Sequence, residues 1–184
     1  QLGFEIYLNN SKLGEKLWDT ICSFGKKYNL RPGAPNLIDR IEAGLLSFGN
    51  DMTSENSPLE CGFEKYCALS SDIDFIGKAK LKSEKNIGPK LKLCGIAFGG
   101  EAQSACTIPW PIYFNNLKIG EITSGIYNPS LKVNTGIALV MTENLDKFST
   151  VKVKALNSKI TEGVICSLPF TISKNYELIN QIRY

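Results

Sequence analysis

The chain has 184 residues, which is enough for one or two domains. Its apolar content of 43% and charged content of 21% are typical of a globular protein, and no apolar run approaches the roughly 18 residues that span a bilayer. The net charge of +3 is scattered along the chain, so we expect neither a nucleic-acid nor a membrane partner.

The chain contains no histidine, and its six cysteines include no C-x-x-C pair. Zinc sites that use His are therefore excluded, and a Cys-only metal site is disfavoured. Ser-His-Asp and Cys-His catalysis are excluded within this chain for the same reason. A chain of this size needs no disulfides, so we predict free, mostly buried thiols in a reducing cytoplasm.

The first predicted element is a strand over Phe4–Leu8. Its alternation places Glu5 and Tyr7 side by side on one face, toward either solvent or a ligand. Because the sequence opens inside this strand without a Met, we expect it to be a fragment. A helix capped by Ser11 follows, and its regularly spaced apolar residues predict packing on a sheet; they are Leu13, Leu17, Ile21 and Phe24.

The second predicted helix begins at Asn36, a favourable N-cap, and ends near Gly44. Its apolar face consists of Leu37, Ile38, Ile41 and Leu45. Arg40 and Glu42 lie on different faces, so at most one of them should point inward. The polar run that follows predicts either an ordinary solvated turn or a loop that builds a site.

A short lysine-rich helix is predicted to start at Gly77 and to end near Gly88, where we place a domain boundary. Its lysines, Lys78, Lys80, Lys82 and Lys85, read as a solvated face. From Leu91 onward, short strands alternate with turn residues, which predicts a small antiparallel barrel. Hairpin turns are expected at Asn115–Asn116 and Asn157–Ser158, and the polar tail after Phe170 is expected to fray.

Four segments, in this order, carry a family resemblance. They are G-F-E-I-Y at 3–7, R-I-E-A-G-L with F-G-N-D at 40–51, S-P-L-E-C-G at 57–62, and D-F-I-G-K at 74–78. The chain resembles the folate-dependent aminomethyltransferase family of the glycine-cleavage T-protein. The resemblance implies an α+β fold, with the end of an α/β folate-binding domain at 1–88 and a β-barrel domain with its tail at 89–184. It also implies a missing N-terminal part that supplies much of the substrate pocket.

The same resemblance implies transfer of a one-carbon group to N5 of tetrahydrofolate. The resemblance is greatest to family members that take a methyl group from dimethylsulfoniopropionate. This donor is a sulfonium, and in-line transfer of its methyl group needs positioning and no catalytic residue. The alternatives are a T-protein-like aminomethyltransferase, the folate domain of a dimethylglycine- or sarcosine-type dehydrogenase, and a non-catalytic folate-binding or RNA-modification accessory protein.

By this resemblance Glu5 binds the edge of the pterin and Tyr7 lies near the substrate. Arg40 binds the carboxylate end of folate, and Phe48 stacks on folate. Three of these four residues have a structural alternative: Glu5 solvated, Arg40 paired with Glu42 or Asp51, and Phe48 in the core. Glu60 is expected to be a turn residue. No metal is expected, and the sequence does not specify an oligomeric state.

Overall fold

The computed structural model describes residues 4–31, 33, 36–143, 150–156, 159–171 and 173–182. The chain forms two compact units, residues 1–35 and residues 36–184, which are described one at a time. The fold is α+β, as predicted. The predicted division at residues 88 and 89 concerns the domains of the family and stays a prediction.

In the first unit, residues 4–8 are irregular, so the predicted strand is wrong. Alternation decides which side chains would share a face, but a strand also requires backbone hydrogen bonds to a neighbouring strand. A single 3-10 turn at Ser11–Leu13 then leads into helix α1, Gly14–Gly25, and a second 3-10 turn at Lys26–Tyr28. The side chain of Asn10, not of Ser11, caps the first turn, since it accepts a hydrogen bond from the amide of Lys12.

Helix α1 is amphipathic, but none of its residues is buried. Phe24 is 72% exposed and Trp18 is 55% exposed. The prediction that this face belongs to a packed core is therefore wrong for this chain. An apolar stripe shows which face of a helix can be buried, but burial itself needs a second apolar surface.

In the second unit, six strands form a closed antiparallel barrel, which confirms the predicted architecture. The strands are β1 (Leu91–Phe98), β2 (Trp110–Phe114), β3 (Leu117–Asn128), β4 (Val133–Met141), β5 (Thr150–Val153) and β6 (Thr161–Cys166). Their order around the barrel is β1, β4, β3, β2, β5, β6. In the described part of the chain, each of these strands pairs with two neighbours, so none of them is an edge strand.

Alternating residues of these strands build the barrel interior, where Ile96, Phe98, Ile112 and Ile122 are buried in one cluster. The predicted Asn115–Asn116 turn is confirmed: both residues have positive φ, at 47° and 65°, and they join β2 to β3. Asn tolerates this left-handed region better than most residues. The predicted turn at Asn157–Ser158 lies outside the described residues.

Helix α2, Leu37–Ala43, matches its prediction. The side chain of Asn36 accepts the amide of Asp39 at 2.8 Å, and the helix ends at Gly44 with φ of 69°. Ile41 is fully buried in a cluster that also contains outer barrel residues. Leu45, by contrast, is 61% exposed, because the chain has already left the helix at Gly44.

Helix α3, Lys78–Ile87, begins after Gly77 as predicted. Lys80, Lys82 and Lys85 are exposed, but Lys78 is buried, which corrects its assignment to the solvated face. Its ammonium donates to the carbonyls of Ser71 at 2.6 Å and Ile73 at 2.5 Å. A residue in the first turn of a helix covers the segment N-terminal to it, and here that segment offers two carbonyls.

The expected frayed tail is instead helix α4, Ser173–Asn180. Asn175 is buried; its Oδ1 accepts the amide of Ser167 at 3.0 Å and its Nδ2 donates to the carbonyl of Ser167 at 2.7 Å. Ile179 is fully buried in the same cluster as Ile41. The polar composition of the tail concealed two apolar anchors, Ile179 and Ile182, and one amide that pairs with backbone.

All six cysteines lie in described segments and are free, as predicted. Three are buried and three are half-buried. Burial raises the pKa of Cys94 and of Cys166 to about 12, so both remain neutral thiols. Among the helices of the described residues, none has the length and apolar character needed to cross a membrane.

Candidate functional site

In the first unit, Glu5 and Tyr7 form a local pair. The Tyr7 hydroxyl donates a hydrogen bond to Oε2 of Glu5, and the Tyr7 side chain is 84% exposed. This hydrogen bond to a carboxylate is the main reason that the pKa of Tyr7 is raised above its ordinary value. The phenol therefore stays protonated and uncharged at neutral pH.

This pair brings the two side chains together, as the sequence predicted, although no strand does it. A carboxylate offers about four lone-pair positions, and the Tyr7 hydroxyl uses one of them. Glu5 can therefore still accept two parallel N–H groups, which is the pattern on the edge of an aminopyrimidine ring. Its exposure is equally compatible with the alternative of a solvated carboxylate.

In the second unit, the guanidinium of Arg40 is bound within the protein. Its Nη1 donates to Oδ2 of Asp51 at 2.6 Å and to the carbonyl of Leu45 at 2.8 Å, and its Nη2 donates to Oγ of Ser124 at 2.5 Å. Of the two ion pairs that the sequence left open for Arg40, the structure contains the one with Asp51.

Glu42, the other partner considered for Arg40, accepts a hydrogen bond from Nδ2 of Asn128 at 2.6 Å. Arg40 and Glu42 thus both reach β3, through Ser124 and Asn128. The expectation that at most one of them points inward is wrong. The reason is that α2 lies against β3. Arg40 and Glu42, on different faces of this short helix, therefore contact different residues of the same strand.

Asp51 is the centre of this network, and its side chain is fully buried. Oδ2 accepts from Arg40 and from the amide of Ser47 at 2.8 Å, while Oδ1 accepts from the hydroxyls of Thr123 at 2.7 Å and Ser124 at 2.5 Å. Burial by itself raises the pKa of Asp51, but the hydrogen bonds from these four groups together hold the pKa below its ordinary value. Asp51 is therefore ionised at neutral pH.

A bulge in β3 makes this geometry possible. Consecutive residues of a regular strand point to opposite faces, yet Thr123 and Ser124 both donate to the same oxygen of Asp51. The register between β3 and β4 shifts between Ile122 and Ser124. Such a shift redirects one side chain, and it brings the second hydroxyl to the carboxylate.

Sequence reasoning named Asp51 but missed the two hydroxyls. Asp51 ends the F-G-N-D motif, which is a usable signal. Thr123 and Ser124 lie more than 70 residues away and no local pattern marks them. Only the pairing of β3 with its neighbours places them next to Asp51.

Phe48 lies on the turn between Ser47 and Asp51 and is 72% exposed, so it is not a core residue. Its backbone forms an isolated bridge with Met52, and the amide of Gly49 donates to the carbonyl of Met52 at 2.7 Å. An exposed ring on a closed turn is compatible with the predicted stacking contact.

Glu60 is a turn residue, as expected. It forms a reciprocal pair with Ser57, in which each side chain accepts the amide of the other residue, at 3.2 Å and 3.1 Å. Oε1 of Glu60 also accepts the amide of Leu91 at 3.3 Å.

Comparison with known families gives two matches in the order of the chain. Residues 1–71 match the GCVT N-terminal domain, and residues 92–171 match the glycine cleavage T-protein C-terminal barrel domain. The second range contains the barrel strands of the described residues, apart from Leu91 at the start of β1.

Individual relatives agree with these matches. The chain is 43% identical over 140 residues to the dimethylsulfoniopropionate demethylase DmdA of Ruegeria pomeroyi, which covers 76% of the chain and 38% of that protein. It is 34% identical over 180 residues to an aminomethyltransferase of a Thermoanaerobacter species, covering 95% of the chain and 46% of that protein. The chain thus spans less than half the length of these curated relatives.

Among solved structures, the glycine cleavage system aminomethyltransferase T from Bartonella henselae superposes with a TM-score of 0.53. The sequence identity is 22%, and the match covers 72% of this chain and 37% of the other. At this identity the likeness concerns the fold.

Proposed function

The chain belongs to the glycine-cleavage T-protein family, and from this premise we propose that the protein carrying it is a tetrahydrofolate-dependent methyltransferase. Its methyl donor in this proposal is dimethylsulfoniopropionate. The observation that carries the choice of donor is the 43% identity to the demethylase DmdA, compared with 34% to the aminomethyltransferase. The longer match of the aminomethyltransferase, 95% of the chain, makes aminomethyl transfer the second candidate.

The proposed reaction is one displacement. The lone pair of N5 of tetrahydrofolate attacks a methyl carbon of the sulfonium, the carbon–sulfur bond breaks, and its electron pair stays on sulfur. The products are methylmercaptopropionate, 5-methyltetrahydrofolate and the proton released from N5. Because the sulfonium is already a good leaving group, the protein mainly has to hold nitrogen, carbon and sulfur in line.

Within this proposal, Glu5 binds the amino-pyrimidine edge of the pterin by two charge-assisted hydrogen bonds. Tyr7 presents a neutral phenol ring toward the donor, and such a ring attracts the sulfonium cation. The exposure of the Tyr7 side chain, at 84%, leaves its ring accessible to such a donor.

Phe48 is proposed to stack on the folate, which its exposure supports. Arg40 is proposed to meet the carboxylate end of folate. Its side chain is 23% exposed, and within the described residues its hydrogen bonds to Asp51, Leu45 and Ser124 use three of the five guanidinium N–H groups. Two N–H groups therefore remain for a folate carboxylate while Arg40 keeps its bond to Asp51.

The proposal also covers the division of the chain into domains and the cellular compartment of the protein. The family matches at 1–71 and 92–171 support a folate-binding part at 1–88 and a barrel part at 89–184. The six free thiols support a reducing compartment such as the cytoplasm.

The test incubates the purified full-length protein with dimethylsulfoniopropionate and tetrahydrofolate and measures products by mass spectrometry. We expect methylmercaptopropionate and 5-methyltetrahydrofolate in equal amounts. If neither forms while a lipoyl-carried aminomethyl donor is consumed, aminomethyl transfer replaces methyl transfer. Folate binding with no turnover of either donor would identify a non-catalytic folate-binding protein.

The site assignment is tested with Glu5→Gln, which keeps the shape of the side chain and removes its charge. We expect a tetrahydrofolate Kd about 10- to 100-fold weaker, because two charge-assisted hydrogen bonds are weakened. Glu15→Gln is the matched control, since Glu15 is an exposed acid of the same unit. Equal Kd values for the two variants would remove Glu5 from the folate site.

A further inference from the structure

The turn that carries Phe48 is held by hydrogen bonds on both sides of the aromatic ring. Before it, the amide of Ser47 donates to Oδ2 of Asp51 at 2.8 Å. After it, Nδ2 of Asn50 donates to the carbonyl of Thr123 at 3.1 Å and to Oγ of Ser124 at 2.7 Å. The exposed ring therefore projects from a turn whose Asn50–Asp51 end is bonded directly to β3 and whose Ser47 end is bonded to Asp51.

Asp51 connects the turn to α2 and to β3. It closes the turn, since its own amide donates to the carbonyl of Ser47 at 2.8 Å. Its two carboxylate oxygens accept hydrogen bonds from α2, from the turn and from the bulge of β3. A fully buried carboxylate that binds groups from three elements restricts how far any one of them can move.

Without these hydrogen bonds, the turn would not hold the Phe48 ring in one orientation. Gly49 has φ of 87°, a conformation that glycine adopts freely along with several others. A ligand that has to order a mobile turn binds more weakly, because ordering the turn costs conformational entropy. A turn that is already held in place avoids this cost.

We infer that Asp51 is a positioning residue for folate binding, which acts by holding the Ser47–Asp51 turn against β3 so that the Phe48 ring is presented in one orientation. The inference rests on the proposed function, because it takes the Phe48–folate contact from it. Asp51 itself does not touch the ligand in this scheme. Its influence through the ring of Phe48 is distinct from any influence through Arg40, which the Asn50→Ala variant below leaves bonded to Asp51.

A double-mutant cycle tests this coupling in the full-length protein, with the Kd for tetrahydrofolate as the readout. Asp51→Asn should weaken binding about 10-fold in the wild-type background and by less than about 2-fold in a Phe48→Ala background. A residue that only supported the fold would weaken binding by the same factor in both backgrounds. That result would overturn the inference.

Asn50→Ala gives a second cycle in case Asp51→Asn fails to fold. It leaves Asp51 and Arg40 intact and removes the attachment on the other side of Phe48, so we expect about 3-fold weaker binding that also vanishes in the Phe48→Ala background. Asp72→Asn, an exposed acid of the same unit, is the matched control and should bind as wild type.

The outcomes separate the inference from the proposed function. If Phe48→Ala weakens binding while Asp51→Asn and Asn50→Ala both bind as wild type, the inference fails and the Phe48 contact stands. If Phe48→Ala binds as wild type, the Phe48 contact of the proposed function fails, and the inference fails with it.

Discussion

The two units carry similar apolar patterns but bury them to different extents. Helix α1 has twelve residues and an apolar stripe, yet none of its residues is buried. Helix α2 has only seven residues, and its Ile41 is completely buried in a cluster with outer barrel residues. The difference teaches that helical spacing specifies a surface available for packing, and that the neighbouring surface decides whether it is used.

The polar contacts of the two units also differ, both in the sequence separation of the partners and in their burial. Glu5 and Tyr7 are two residues apart and exposed, so their contact follows from the local sequence. Asp51 binds hydroxyl groups more than 70 residues away and is removed from solvent. A buried carboxylate depends on every one of its partners, because an unmatched charge in the interior is costly.

The largest expected effect is in the barrel interior. Ile96→Ala should lower the free energy of unfolding of the second unit by about 2–5 kcal/mol, because Ile96 is fully buried and its truncation leaves a cavity. Ile21→Ala in α1 is the matched comparison and should cost less than about 1 kcal/mol, since Ile21 is only half-buried. Urea unfolding measures both, and equal losses would break the contrast between the units.

A smaller effect is expected at Asp51. Asp51→Asn should cost about 3 kcal/mol at neutral pH, because Arg40 loses the partner of a buried ion pair. Urea unfolding as a function of pH is the measurement.

The pH dependence of that effect has a defined sign. The pKa of Asp51 is lower in the folded protein, so its stabilisation is complete well above the unfolded value of about 3.9 and is lost as the pH falls through the folded pKa. The difference between wild type and Asp51→Asn should therefore shrink toward pH 3, whereas Glu15→Gln should follow the wild-type curve. A difference that stays constant with pH would show that the charge of Asp51 is not what stabilises the network.

The smallest expected effect is at α4. Asn175→Ala should cost about 1 kcal/mol, because the amide and carbonyl of Ser167 lose their side-chain partner. Hydrogen exchange should show faster exchange at Ser167 and along α4, with the barrel strands unchanged. Lys174→Ala, at the exposed neighbouring position, is the control and should leave exchange as in wild type.

The elements whose causes are local could be predicted from the amino-acid sequence. Asn36 and Gly44 bound α2 because an N-cap and a left-handed glycine act within one helical turn. Asn115–Asn116 closed a hairpin, and the first strand of the barrel begins at Leu91, where the predicted run of short strands begins. The family resemblance followed from four such segments in order.

Only the tertiary structure decided which of these surfaces and side chains meet. It left residues 4–8 irregular and α1 exposed, folded the polar tail into α4, and buried Lys78. It also joined Asp51 to Thr123 and Ser124 through a bulge that no local pattern marks. The physical reason is that burial, strand pairing and buried hydrogen bonds each need a partner, and a linear pattern does not contain the position of a partner far along the chain.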